Sequence, residues 1–218
     1  MKRLGIAVLA VGAVAAGAWV LGGDRLQFAM GGALINVGYR LQDPVANFDF
    51  VHEHMEPKLI WEEFLQQNHM AAEVRQKWPR TSRHPVIALV TCMDGRLDTN
   101  EIAGDTRRYY YVLRLAGSVL SEKEEEMLEL AVNNGVEVVV FTTHTDCAAE
   151  KAAKNPAQRA QYPNLVKAVD EREHRFQEFL ERPTIRAKTS EGHLLVKWMD
   201  LDTSTERVAP HDQGAAGR

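Results

Sequence analysis

The first forty residues differ from the rest of the chain in their pattern of apolar and polar positions. Lys2 and Arg3 precede an uncharged run over residues 4–23 that is rich in Ala, Val, Leu and Gly. About 20 apolar residues in a helix span the ~30 Å hydrocarbon core of a bilayer. Paired cations before such a run favour a cytoplasmic N-terminus. The pattern predicts a transmembrane helix, with the remaining chain extracytoplasmic, on the periplasmic side.

Two other interpretations of this run stay open. Residues 16–18 read Ala-Gly-Ala, a small-x-small pattern that a secretory signal peptidase could cut. Cleavage there would leave an apolar N-terminus at Trp19. The run could also be a hydrophobic arm of an intracellular protein. A second uncharged stretch, residues 26–39, is too short to span and is interpreted as a docking segment. Residues 1–41 are therefore predicted to form an anchor and docking segment.

From residue 42 onwards the pattern predicts one α/β domain, residues 42–218. Apolar runs that suit buried strands alternate with amphipathic helical patterns, which is typical of a mainly parallel sheet flanked by helices. Ser121 and Glu124 form a capping-box pattern, and Gly135 suits a helix end. Strands are predicted at residues 85–90, 109–113, 136–141 and 194–201, helices at 48–78, 122–134 and 164–180, and a frayed tail at 208–218.

Composition narrows the function classes. The chain has 26 Lys+Arg against 30 Asp+Glu, a formal net charge of −4, which argues against a polybasic nucleic-acid binder. Aromatic residues make up only 7%, too few to favour stacking on single-stranded nucleic acid. The two cysteines, Cys92 and Cys147, cannot form a disulfide framework. They suffice for one disulfide or for part of a metal site.

Both cysteines follow predicted strands. Cys92 comes directly after the first strand, and His144 and Cys147 come after the third. The carboxyl ends of parallel strands are where sites form, so neighbouring strands would bring the three side chains together. Two thiolates and one imidazole suit tetrahedral Zn²⁺, with a fourth position for water or a carboxylate. The alternatives are buried cysteines that act as small apolar side chains, or a disulfide.

At this point the sequence resembles the β-class carbonic anhydrases. The resemblance rests on CMDGRLD at 92–98, RLAG at 114–117 and HTDC at 144–147. It implies one Zn²⁺ per chain, bound by Cys92, His144 and Cys147. It also implies that Asp94 and Arg96 form a catalytic dyad beside the metal, and that Asp94 could itself become the fourth ligand if the pairing breaks. Asp98 and Asp146 are candidates for proton relay or loop stabilisation.

Two departures from the family pattern concern the site. Leu115 stands where the family usually has asparagine, and Ala148 stands where it usually has glycine after the second cysteine. A smaller departure is Gly95 after Asp94. None of the three changes removes a predicted metal ligand.

The leading hypothesis is a membrane-tethered zinc enzyme that interconverts CO₂ and bicarbonate. The alternatives are a catalytically weak or inactive zinc-binding subunit of a membrane complex, and a CS₂ or COS hydrolase. The resemblance and the apolar early helix predict a homodimer or a larger oligomer. No nucleic-acid partner is expected.

Overall fold

The computed structural model describes residues 2–45, 56–79 and 83–211, with no side chains given for residues 2–21. The chain divides into two compact units, Met1–Arg80 and Thr81–Arg218.

The first unit contains two long helices. Helix α1 runs without a break over Lys2–Gln42, so the two predicted N-terminal segments lie on one helix. A short 3-10 turn, Asp43–Val45, follows it. Helix α2 covers Pro57–Lys77 and starts at a proline whose missing N–H costs nothing in a first turn. The part of the predicted helix at residues 48–55 lies outside the described residues.

The membrane prediction falls mostly on side chains that the structure leaves undescribed. Among the described residues, no helix combines the length and the apolar character that crossing a bilayer requires. Most of the predicted span, residues 4–21, lies outside that search.

The second unit contains a five-stranded sheet in the order β2-β1-β3-β4-β5. Strands β1 to β4 are parallel, and β5 pairs antiparallel with β4 at one edge. The mainly parallel α/β sheet is therefore confirmed. The strands are β1 Ile87–Cys92, β2 Tyr110–Leu115, β3 Val138–His144, β4 Leu195–Asp202 and β5 Arg207–Pro210.

Helices connect and cover these strands. The capping box is present at Ser121 and Glu124, and Gly135 has φ 105° just after the helix, as the sequence predicts. In order, the helices are α3 Thr99–Ala103, α4 Thr106–Tyr109, α5 Glu122–Asn133, α6 Ala148–Lys154, α7 Pro156–Gln161, α8 Pro163–Asp170, α9 Arg172–Glu181 and α10 Pro183–Ser190.

The main core joins the sheet to helices α5, α9 and α10. Val139 and Phe141 of β3 pack with Val132 of α5 and with Phe176 and Phe179 of α9. The ring of Phe141 meets the rings of Phe176 and Phe179 edge to face, at centroid distances of 4.9 and 5.5 Å. Burying each such side chain stabilises the fold by roughly 1.5–3 kcal/mol. This core fixes β3, the strand that ends at His144.

The structure corrects several predicted elements. The helix predicted at 164–180 is two helices, α8 and α9, that meet at Glu171. The frayed tail is wrong for residues 208–210, which lie in β5, whereas residues 212–218 lie outside the described part. β3 begins two residues later than predicted and extends three residues further, through His144 itself.

Candidate metal centre

The three predicted ligands meet at the carboxyl ends of β1 and β3. Cys92 ends β1, His144 ends β3, and Cys147 is the N-cap of α6. Their candidate ligand atoms all lie within 4.8 Å of one another, and all three residues are buried. A tetrahedral zinc with bonds of about 2.0–2.3 Å needs ligand atoms about 3.3–3.8 Å apart. A small contraction of the cluster would satisfy that geometry.

The ring of His144 is oriented through its own neighbour. Its Nδ1 lies 2.9 Å from the carbonyl oxygen of Thr145, while its buried Nε2 has no hydrogen-bond partner. Donation from Nδ1–H to a carbonyl leaves Nε2 with its lone pair, which is how metal-binding histidines are commonly held. Thr145 is in turn fixed by the β4–β5 hairpin, since its N–H donates to Leu201 and its hydroxyl oxygen accepts from the N–H of Thr203.

The two thiols are unequal in acidity. The hydrogen bond from the Cys147 thiol is the largest of the effects that together lower the pKa of Cys92 to about 4. His144 and nearby backbone N–H groups add to this lowering, and burial opposes it. The same contact with Cys92, together with burial, raises the pKa of Cys147. The cluster therefore stabilises one thiolate readily, and a divalent cation in place of the Cys147 proton would stabilise two. A buried imidazole nitrogen without a partner and two adjacent thiols fit zinc.

Asp94 and Arg96 form a bidentate pair beside this cluster. Asp94 Oδ1 accepts from the Arg96 backbone N–H and from Nε, both at 3.0 Å, and Oδ2 accepts from a terminal guanidinium nitrogen at 2.8 Å. We call this arrangement the Asp94–Arg96 fork. These contacts hold the pKa of Asp94 well below its usual range. The carboxylate therefore stays ionised and has both oxygens occupied.

Arg114 and Gly117 shape the site in ways that the motif alone did not reveal. Arg114 donates to the backbone oxygens of Cys92, at 3.3 Å, and Asp94, at 2.5 Å, and so fixes the loop after β1. The Gly117 N–H helps to stabilise the Cys92 thiolate. Gly117 has φ 63°, and a Cβ there would lie 3.2 Å from a Val169 methyl group. A side chain at this position would be strained as well as crowded.

The structure gives physical reasons why the two departures are tolerated. Leu115, at the end of β2, packs against the main core and so places an apolar side chain there. Ala148 is the first residue of α6, a helical position that alanine favours. Asp98 is the N-cap of α3 and accepts from the backbone N–H of Asn100 at 2.8 Å, which is a loop-stabilising role.

Comparison with known proteins identifies the family. The carbonic anhydrase family model matches residues 87–207, more than half of the chain and all three candidate ligands. The chain belongs to the carbonic anhydrase family. No curated protein sequence matches the chain significantly.

Solved carbonic anhydrases, among them two that are described as β-carbonic anhydrases, share the fold at low sequence identity. The enzyme from Streptococcus mutans has a TM-score of 0.52 at 21% identity, over 73% of this chain and 100% of that one. CafA, the β-carbonic anhydrase of Aspergillus fumigatus, has 0.53 at 19%, over 70% and 90%. A tetrameric β-carbonic anhydrase from Sordaria macrospora has 0.51 at 19%, over 72% and 98%. β-Carbonic anhydrases use zinc, and the cluster of Cys92, His144 and Cys147 could hold this ion.

Proposed function

We propose that this chain catalyses the reversible hydration of CO₂ to bicarbonate and a proton, with one Zn²⁺ bound by Cys92, His144 and Cys147. The observation that carries the proposal is the buried Nε2 of His144, which has no partner and lies beside two thiols at the ends of neighbouring parallel strands. Zinc held by three protein ligands lowers the pKa of a bound water to about 7, which supplies a nucleophile at neutral pH.

Three residues around the cluster would orient the attacking water and position the groups that contact it. Asp94 is ionised and its oxygens accept hydrogen bonds, so it can accept one from the attacking water and orient that water. Arg96 fixes that carboxylate through the fork. Arg114 holds the backbone that carries both Cys92 and Asp94. Each of these groups is in place before substrate arrives, so little reorganisation is needed during the reaction.

We also propose that residues 1–41 tether the enzyme to a membrane, with residues 42–218 as the catalytic domain on the extracytoplasmic side. The support is the uncharged run at 4–23 after Lys2 and Arg3. Mass spectrometry of the N-terminus of the native protein tests this. A membrane-bound chain that retains residues 1–18 is expected, and a mature chain that begins near Trp19 would replace the anchor by a cleaved signal.

A homodimer or a larger assembly is the third part of the proposal. Several large apolar side chains of α2 are exposed within the chain, which is typical of a surface that another protein covers. Among them, Trp61 is 56% exposed and Phe64 52%. The Sordaria macrospora relative is tetrameric. Mass measurement by light scattering on the purified protein checks the assembly, and a monomer would contradict it.

The central experiment measures CO₂ hydration by stopped flow on purified full-length protein whose zinc content has been determined. One zinc per chain and hydration well above the buffer rate are expected. Cys92→Ser should lose both metal and activity. A zinc-replete protein with no hydration activity would overturn the enzyme proposal. In that case, co-purified membrane proteins would favour an inactive subunit, and sulfide released from COS or CS₂ would favour a hydrolase.

A further inference from the structure

Arg96 has a second anchor besides Asp94. One terminal guanidinium nitrogen lies 3.2 Å from Asp146 Oδ2, and the other donates to the Asp146 backbone oxygen at 3.1 Å. Asp146 lies between the candidate ligands His144 and Cys147, so the guanidinium bridges the two ligand loops. The same terminal nitrogen that contacts the Asp146 carbonyl also holds Asp94 Oδ2.

Asp146 is itself held in place. Its backbone has φ 65°, a left-handed conformation that Asp and Asn tolerate better than most residues. The Lys151 ammonium, one turn into α6, pairs with the other carboxylate oxygen of Asp146. One oxygen therefore contacts Lys151 while the second contacts Arg96, which fixes the direction of the carboxylate.

The contact with Asp146 matters for the position of Arg96, because the Arg96 side chain is 49% exposed. An exposed arginine paired with one carboxylate is weakly held, since solvent competes for both groups. If the Arg96 side chain moved away, Oδ2 of Asp94 would lose its guanidinium donor, and Oδ1 would keep only the backbone N–H of Arg96. A carboxylate whose Oδ2 has lost its guanidinium donor, two residues from Cys92, is a competent zinc ligand and would compete for the fourth position.

We propose that Asp146 is a positioning residue: it holds Arg96 on Asp94 and so keeps the fourth ligand position open to water and small anions. The inference rests on the proposed metal site but not on catalytic activity. In this role Asp146 acts on the Asp94–Arg96 fork and not as a proton relay.

The test uses the full-length protein with Co²⁺ in place of zinc and thiocyanate as the probe for the fourth position. Thiocyanate binding is followed by the visible absorption of Co²⁺. Asp146→Asn should weaken thiocyanate binding about tenfold, because Asp94 would then compete for the metal. Asparagine accepts the left-handed backbone, so the fold should persist. Asp146→Gly, which also accepts this conformation, should shift binding in the same direction.

A double variant separates positioning from a merely structural effect. Adding Asp94→Asn to Asp146→Asn should restore thiocyanate binding to within about twofold of the wild type, because the competing carboxylate is gone. Unchanged binding in the Asp146 variants would overturn the inference, and so would a loss that Asp94→Asn does not reverse. The matched control is Asp105→Asn. It alters a similar Asp-x-Arg pair, Asp105 and Arg107, just before the amino end of β2, and it should leave thiocyanate binding unchanged.

Absence of CO₂ hydration by the wild type would overturn the proposed function alone. The absorption of Co²⁺ would still report whether Asp146 controls access to the fourth position. The two failures are therefore distinguishable.

Discussion

The chain builds the same Asp-x-Arg fork at two ends of its sheet. At the carboxyl end of β1, Asp94 accepts from the backbone N–H, Nε and a terminal nitrogen of Arg96 at 3.0, 3.0 and 2.8 Å. Before the amino end of β2, Asp105 accepts from the same three groups of Arg107 at 3.0, 2.7 and 3.0 Å. The forks are therefore nearly identical in local geometry.

The surroundings differ. Asp105 is the N-cap of the short helix α4, and its side chain is 52% exposed. Asp94 is 14% exposed, follows Cys92 by two residues and shares its arginine with Asp146. A turn of three residues can make the fork anywhere, but only the carboxyl edge of the parallel sheet places it beside three metal-ligating side chains. Position in the fold, rather than the motif, gives the Asp94–Arg96 fork its chemistry.

Loss of one of the three candidate metal ligands should have the largest effect. His144→Ala deletes the buried imidazole, and two thiols alone leave zinc with too few protein ligands. Zinc content should fall from one per chain to below about 0.1, with hydration reduced at least about a hundredfold. Metal analysis and stopped-flow assays measure both quantities. His193→Ala, at an exposed histidine, is the control and should keep its zinc. Full zinc occupancy in His144→Ala would contradict the proposed ligand set.

The same substitution in the two arginines should then affect catalysis at one fork and not at the other. Arg96→Gln removes the charge and the terminal donors that position Asp94, and kcat/KM should fall about a hundredfold, within the range of lost proton-transfer and positioning effects. Arg107→Gln should change kcat/KM by less than about twofold. Steady-state kinetics on zinc-quantified protein gives both values. Similar losses in the two variants would mean that the forks support the fold and not the reaction.

The ligand set could be predicted from sequence because it depends on local order. Cys92, His144 and Cys147 each lie at or just beyond an apolar run, and parallel strands place such positions at one edge. The Asp94–Arg96 pairing could also be expected, since two residues of separation allow the fork within one turn.

The remaining parts of the site depend on contacts that sequence patterns do not carry. The contact of Arg96 with Asp146 joins residues 50 positions apart, and Arg114 reaches back 20 residues to the Asp94 carbonyl. Strand β5 could not be predicted, because its four residues are all exposed and do not alternate between apolar and polar side chains. The break between α8 and α9 was not predicted either, because the helical spacing of apolar residues continues across Glu171.

A smaller effect is expected from the group that orients His144. Thr145→Val removes the hydroxyl oxygen that accepts from Thr203, and so loosens the carbonyl that fixes the His144 ring. Loss of such an orienting contact typically weakens metal binding about tenfold or more. Chelator competition should show zinc affinity reduced by about tenfold. Thr145→Ser keeps the hydroxyl and should restore most of the affinity. Equal affinities for the valine and serine variants would contradict this role.

The smallest effect is expected at the second fork. Asp105→Ala removes the N-cap of α4 and should lower the free energy of unfolding by about 1 kcal/mol, which corresponds to a Tm lower by about 2–4 °C. Asp105→Asn can still cap the helix and should lose less. Thermal unfolding measures the difference, and hydration activity should match the wild type in both variants. A loss of activity without a loss of stability would contradict the distinction between the forks, because it would connect the amino end of β2 to the metal centre.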